Sequence, residues 1–361
     1  MTAFLSNYFA LFVNRFGQGW NRFWYTPRDG YSLGLMRLCL GVLLLYLHLT
    51  YTPDVVRFFG TDGVISPEVV VEMRQRIITG EQNQIRYTTI NPRYLSYLYL
   101  FDDAFSLRAV HLIGAVILLL FTIGLKSRVM CVLAWLITLS YMHRAPFVTS
   151  AVEPIVCLLL FYMCFGRSGA SFSVDSWLAR RRAAREPGFA RELEEKSLSF
   201  GNTIALRLMQ VHVTVIYLAM GLAKLSGPPI VTEGSAWTNP WGAGHAVWLL
   251  IARPESPWVN LDWIAGYPYL FQSWTLAIVV FELAFGVFIW NRLARPLMLL
   301  VALPMWGSLA LISGIAPFSV AMLIANLAFF DPEEWRELGQ ARGAAEDAAA
   351  ESREPGRAAT A

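Results

Sequence analysis

The sequence predicts an all-α fold: a polytopic membrane helix bundle of about eight transmembrane helices, preceded by an amphipathic N-terminal interfacial helix. Three observations point there. Hydrophobic residues fill 56% of the 361 positions and charged ones only 15%, far from a soluble-domain mixture. Several apolar runs reach or approach the roughly 20 residues that a helix rising ~1.5 Å per residue needs to cross a bilayer. Lys and Arg, finally, gather in alternate loops, as short cytoplasmic loops do.

Residues 1–26 come first. Phe4, Tyr8, Leu11, Phe12, Phe16, Trp20 and Phe23 recur at steps of three and four, the pattern of one face of an amphipathic helix lying in the cytoplasmic interface. No small-residue cleavage site follows Phe4 to Val13, so the segment does not read as a signal peptide. A membrane domain over 27–332 carries spans near 31–50, 105–124, 128–142, 152–166, 203–225, 271–290, 295–312 and 315–330, the third and fourth being short. The final two derive from one run, Arg295 to Phe330, too long for a single crossing. Gly314 and Pro317 in "LISGIAP" bend it into a tight hairpin. The loop Gly169 to Gly201, with "ARRRAAREPGFARELEEK", reads as a solvated connector, and 333–361 as a largely disordered tail.

Orientation follows from the basic residues. With the N-terminus inside, the inner segments carry Arg15, Arg22 and Arg28, then "LKSR", "ARRRAAR" and "NRLARP", whereas the outer loops around Arg144 and Arg253 hold one arginine each. The excursion from Tyr51 to Asp103, with Arg57, Arg74, Arg76, Arg86 and Arg93, departs from the rule. Both termini are expected in the cytoplasm of a cell whose membrane the chain crosses repeatedly, a bacterial inner membrane. That excursion and Gly227 to Tyr269 would form an outer cap, with Trp237, Trp241, Trp248, Trp258 and Trp263 as an interfacial layer.

Much chemistry is excluded at once. Cys39, Cys131, Cys157 and Cys164 lie in or at the ends of apolar spans and show no zinc or disulfide spacing, so no metal is expected. Phosphate-loop, dinucleotide, zincin and serine-hydrolase motifs are missing. The net charge of +3 comes from loop anchors, which argues against nucleic acid and leaves the lipid bilayer as the one partner the sequence names.

Function is then sought among polar residues inside spans, where an ionisable group is costly unless it meets a partner or a wet cavity. The fifth span carries Thr203, Arg207, Gln210, Thr214, Tyr217, Gly221 and Lys224 at steps of three and four, a stripe that should face the bundle. Gly34, Arg37, Gly41 and His48 form a shorter analogue in the first span; Thr275, Glu282 and Gly286 do so in the sixth. Arg37, Arg207, His212 and Glu282 read as structural intramembrane polar groups. Glu282 and His212 lie at similar depth, roughly 12 to 14 Å from the inner ends of their helices, and a pairing between them is expected, with Arg207 as competitor. Lys224 stands just before "LSGPP" at the outer end of its span. It is either an anchor reaching for the interface or, held in a partly dry bundle where its charged form loses solvation, a base.

Several segments together carry a resemblance: "PRDGYSLGLMRLCLGVLL", "GLKSRVMCVLAWL", "HRAPFVTSAVEPIVCLLLFYMCFGRSGASFSVD", "QVHVTVIYLAMGLAKL", "VVFELAFGVFIW" and "IAPFSVAMLIANLAFFDP". In this order, from Pro27 to Pro332, they resemble the HTTM (horizontally transferred transmembrane) domain family, the membrane region shared with the vitamin K-dependent gamma-glutamyl carboxylase. The resemblance implies a reduced quinone as cofactor or substrate and assigns Lys224 as the base that deprotonates a hydroquinone. His143, Glu153, Tyr217 and Glu233 are its expected neighbours on that side.

Two departures limit what carries over. Val152 and Glu153 stand where the carboxylase has a histidine after paired asparagines, and Trp306 stands opposite its second histidine. No counterpart of its lumenal substrate-binding domain is expected in the roughly thirty polar residues after the last span, so glutamate carboxylation is not expected either. Three readings stay open: an enzyme acting on a quinone-like or lipid substrate at the outer surface, a non-catalytic immunity or interaction protein such as some bacterial HTTM relatives resemble, and a transporter.

Overall fold

The computed structural model describes residues 2–61, 63, 64, 66–70, 95–146, 148–186, 188–190, 193, 198–226, 230–232, 235–237, 239–252, 263 and 266–331. Its helices are α1 (Thr2–Tyr25), α2 (Tyr31–Thr50), α3 (Val55–Phe59), α4 (Ala104–Ile123), α5 (Ser127–Arg144), α6 (Val152–Met163), α7 (Val174–Ala183), α8 (Phe200–Ser226), α9 (Ala246–Ile251), α10 (Pro268–Phe288), α11 (Arg295–Ile312) and α12 (Ala316–Asn326). A small antiparallel hairpin joins β1 (Ile230–Thr232) to β2 (Ser235–Trp237). Every span expected from the sequence appears as a helix within a few residues of its anticipated limits. Five are long and apolar enough to cross a membrane, with α2 and α3 counted together as Tyr31–Phe59. Two shorter apolar helices are Val152–Met163 and Ala316–Phe329.

Two packed groups make the bundle. α2, α4, α5 and α6 form one, α8, α10, α11 and α12 the other, and they meet where α12 lies on α2 and α6 and where α6 lies on α8. Small residues set the closest approaches. A β-carbon at Gly41 would stand 2.6 Å from Thr122 Oγ1 and 2.8 Å from its Cα, so only glycine lets α2 and α4 pack this closely. Gly314, at φ 68°, turns α11 into α12, and Pro317 opens the new helix, as "LISGIAP" anticipates. The outward faces remain apolar: Leu112, Val116 and Leu119 on α4, Val280 and Val287 on α10, and Leu297, Leu300 and Leu303 on α11 are all exposed. Water would not tolerate so much exposed apolar surface; lipid would.

α1 exposes Tyr8, Leu11, Phe12, Phe16 and Trp20, the face expected to lie in an interface, while the side chain of Phe4 lies outside the described residues. Its C-terminal end docks on the bundle, with the Phe23 ring 5.7 Å from Trp290 and the Arg207 guanidinium 4.1 Å above Phe23.

The connector after α6 corrects the sequence reading. Its first part is built into the bundle end rather than solvated: Ser168 and Ser173 are buried, and a capping box between Ser173 and Ser176 starts α7. The reason is Arg37. Fully buried on α2, it donates Nη1 to the Phe121 and Thr122 carbonyls at 2.7 and 2.6 Å, Nε to Ser168 O at 3.1 Å and Nη2 to Phe172 O at 2.5 Å. One guanidinium therefore ties down the last turn of α4 and the connector together. Gly124, in the left-handed region at φ 73°, makes room for it, since a β-carbon there would sit 2.7 Å from the guanidinium.

Candidate functional site

The site forms where α8 crosses α10. Gly221 admits Leu283, and Gly286 admits Leu218, so the two helices approach closely in a register where a β-carbon on Gly221 would stand 3.4 Å from that of Glu282. Lys224 is one turn further along α8. Its Nζ donates to Glu282 Oε1, with 16% of the lysine side chain exposed and none of the glutamate. The second carboxylate oxygen, Oε2, is buried without a hydrogen-bond partner among the described residues. Trp241 covers the ammonium, its ring centroid 4.5 Å from Nζ. Asn239 fixes this cover: its Nδ2 donates to the Lys224 carbonyl and its Oδ1 accepts from Trp241 N at 3.1 Å.

Below the ion pair lies a neutral hub. Tyr217 is fully buried, stacked 3.8 Å from Phe285, and its hydroxyl accepts from Trp306 Nε1 at 2.6 Å. Both atoms of the Asn326 amide meet the same hydroxyl, Nδ2 donating at 2.9 Å and Oδ1 accepting at 3.1 Å. Further along the stripe Gln210 donates to Ala328 O at 2.8 Å, and Arg207 donates to Gln210 Oε1 at 2.8 Å and Phe23 O at 3.1 Å. The polar stripe of α8 thus faces inward along its length, as its spacing predicts.

Not every expected neighbour arrives. The pairing of Glu282 with His212 is corrected: Lys224 takes the carboxylate, and His212 Nδ1 meets Tyr162 OH at 3.2 Å on α6. His212 falls off the three–four stripe and so points at a different helix. Glu153 is buried, but its carboxylate accepts from Tyr51 OH at 3.0 Å and from Ser150 N and Oγ at 2.7 and 3.0 Å. His143 Nδ1 bonds Leu139 O at 2.8 Å. Neither belongs to the groups that hold the Lys224 ammonium, which are Glu282 and the Trp241 ring. Glu233 lies outside the described residues, as do Trp258, the connector 227–229 and the tail from 332.

A second buried polar group escaped the sequence reading, apart from His48. His111 and His48 stack at 4.1 Å; His48 Nε2 bonds the His111 carbonyl at 2.9 Å, and His111 reaches Tyr141 OH at 2.7 Å and Thr52 Oγ1 at 3.0 Å. Gly114, whose β-carbon would sit 3.1 Å from the His48 ring, admits that ring. Besides His48 on the stripe of the first span, an HxxG pair, His111 and Gly114, on an apolar helix is its trace in the sequence.

Chemically, the Lys224–Glu282 pair can hold one proton between an amine and a carboxylate away from bulk water, beneath an indole. Tyr217, Trp306 and Asn326 bond one another behind it and serve to position. Among the described residues no three His, Cys, Asp or Glu side chains come together as metal ligands. No family model matches the chain, and neither a curated protein nor a solved structure matches it.

Proposed function

We propose that the chain crosses a cell membrane eight times with both termini in the cytoplasm. In this reading it is an HTTM-like integral membrane protein whose Lys224–Glu282 pair performs acid–base chemistry on a quinone-like or lipid substrate entering from the outer surface. The observation that carries this reading is the pair itself: a buried ion pair whose second carboxylate oxygen has no hydrogen-bond partner among the described residues, covered by the Trp241 ring. Buried pairs stabilise poorly unless their remaining lone pairs are satisfied, so an incomplete one is better explained by work than by scaffolding.

In the proposed step Nζ gives a proton to Glu282 Oε1, leaving a neutral amine and a neutral carboxyl, an exchange favoured where charges are poorly solvated. The amine then takes the proton of an acidic substrate hydroxyl and becomes an ammonium beside the new oxyanion. Tyr217 and Trp306 hold α8, α11 and α12 in place behind it. Trp306, donating its indole N–H to Tyr217, has no basic nitrogen to offer in place of a histidine. Protein glutamate carboxylation is accordingly not part of the proposal. Purified protein given reduced vitamin K, labelled bicarbonate and a glutamate-rich peptide should incorporate no label, and Lys224-dependent incorporation would reverse that conclusion.

Quinone binding is the direct test. Purified wild type should bind a short-chain quinol and lose that binding or its turnover in Lys224→Arg, because a guanidinium cannot become a base. A second reading, a non-catalytic membrane protein in which the pair merely pins α8 to α10, draws on the closed geometry of the salt bridge. No quinol turnover by the wild type, with stability preserved in Lys224→Arg, would select it.

A further inference from the structure

At the opposite end of the bundle from Lys224, a cavity of about 750 Å³ opens between the α1–α2 link, the α4–α5 turn, the connector after α6, and α7. Four cationic side chains line it: Lys126, Arg128, Arg167 and Arg180. Two carboxylates, Asp29 and Asp175, share the wall, yet both are already engaged. Asp175 accepts from Lys126 N at 2.9 Å, Ser127 N at 2.8 Å and Ser127 Oγ at 2.7 Å; Asp29 accepts from Tyr31 N at 3.1 Å. The net field of the cavity is positive.

Apolar groups complete the wall. Val129, Ala179 and Leu193 line it beside the cations. Just outside, Phe172, Trp177 and Leu178 are exposed on the α7 side, with the Arg181 guanidinium 3.8 Å above the Trp177 ring. A short helix with exposed Trp and Leu and a run of three arginines fits the layer between headgroups and water. The cavity therefore offers positive charge at headgroup level next to surface suited to an acyl chain.

We propose that this cavity binds an anionic phospholipid, its phosphodiester held by Lys126, Arg128, Arg167 and Arg180 and its chains running along Val129 and the α7 face. The proposal rests on the membrane-spanning reading given above, with this end of the bundle at the cytoplasmic leaflet, where anionic lipid attracts basic clusters. The cavity's position, where α2, α4 and the connector are tied together by Arg37, makes the bound lipid a structural ligand of the bundle end.

The test uses the full chain purified in detergent, with native mass spectrometry and thermal unfolding as readouts. Added phosphatidylglycerol should remain bound and raise the melting temperature; phosphatidylcholine should do neither. Arg128→Gln and Arg180→Gln should each weaken retention about fivefold, the equivalent of one basic contact at a lipid surface, and Lys126→Gln, on an exposed side chain, guards against a folding defect in either. Arg22→Gln, outside the cavity, should behave as wild type. Equal retention of both lipids, or wild-type retention by all three cavity variants, overturns the proposal, as does stabilisation by inorganic phosphate that phosphatidylglycerol does not exceed. Extraction of the chain from membranes by alkaline carbonate would instead defeat the membrane-spanning reading, whereas failed lipid selectivity in a chain that resists carbonate defeats this proposal alone.

Discussion

At the scale of single residues, Lys224 was legible and its partner was not. The stripe spacing and the resemblance both singled out Lys224, but the side chain opposite depends on how α8 slides against α10. That register comes from Gly221 and Gly286, whose missing β-carbons accept Leu283 and Leu218, and no single-helix pattern encodes it. The pairing changes what a mutation should do. Lys224→Met strands a buried carboxylate, so it should cost about 3–5 kcal/mol in thermal or denaturant unfolding, whereas a snorkelling lysine could be removed with little effect. The double variant Lys224→Met/Glu282→Gln, with no charge left, should recover most of that stability and still be inactive. A double variant that is both stable and active would reduce the pair to a pin between helices.

At the scale of elements, the apolar runs predicted the helices because burial and lipid exposure both demand apolar side chains. The pieces that escaped, β1–β2 and α9, are short and amphipathic in no clear period, held by contacts such as Val247 N to Thr275 Oγ1 at 3.2 Å. Close packing makes a sharp prediction. Gly41→Ala should lower stability by about 1–3 kcal/mol, because its β-carbon meets the backbone of Thr122, while Gly17→Ala on α1, with open space around it, should be neutral or slightly stabilising. Thermal melts of the two variants in the same detergent check this. The start of α4 gives a pH prediction. Asp103 caps it through Phe105 N and Ser106 N, both at 2.9 Å, and the bonds from Ser106 hold its carboxyl below its ordinary value. Its contribution is present above the unfolded carboxyl range and is lost as pH falls through the lower folded value. Protection of the first turn of α4 in hydrogen exchange should fade only in that acid range, and in Asp103→Asn it should no longer respond to pH there.

At the scale of the whole molecule, the proposed topology of eight crossings with alternating basic loops has a direct test. Single cysteines placed at Glu186 and Val64 should label from opposite sides of sealed vesicles, Glu186 from the cytoplasmic side and Val64 from the exterior. The four native cysteines are buried or half-buried and give a low background. Labelling of both from one side would reject the topology. The bundle's outline was legible because long apolar helices announce themselves by composition; the end around Arg37 was not, because Arg37 recruits a polar connector that looks solvated in sequence.

That same arginine bears on the order in which the protein is made. Its guanidinium sits on the first span, but its last acceptor, Phe172 O, lies 135 residues further along the chain. At about 5–20 residues per second, the ribosome needs roughly 7 to 27 s to deliver that carbonyl after the arginine has emerged. On the proposed membrane-spanning reading, α2 carries throughout this interval a charge that its own helix cannot satisfy, so it must wait at the insertion site, or at the water boundary, rather than partition alone into lipid. The connector after α6 is therefore the piece whose arrival releases α2, and nascent chains halted before Phe172 should remain crosslinkable through α2 to the insertion machinery while longer ones should not.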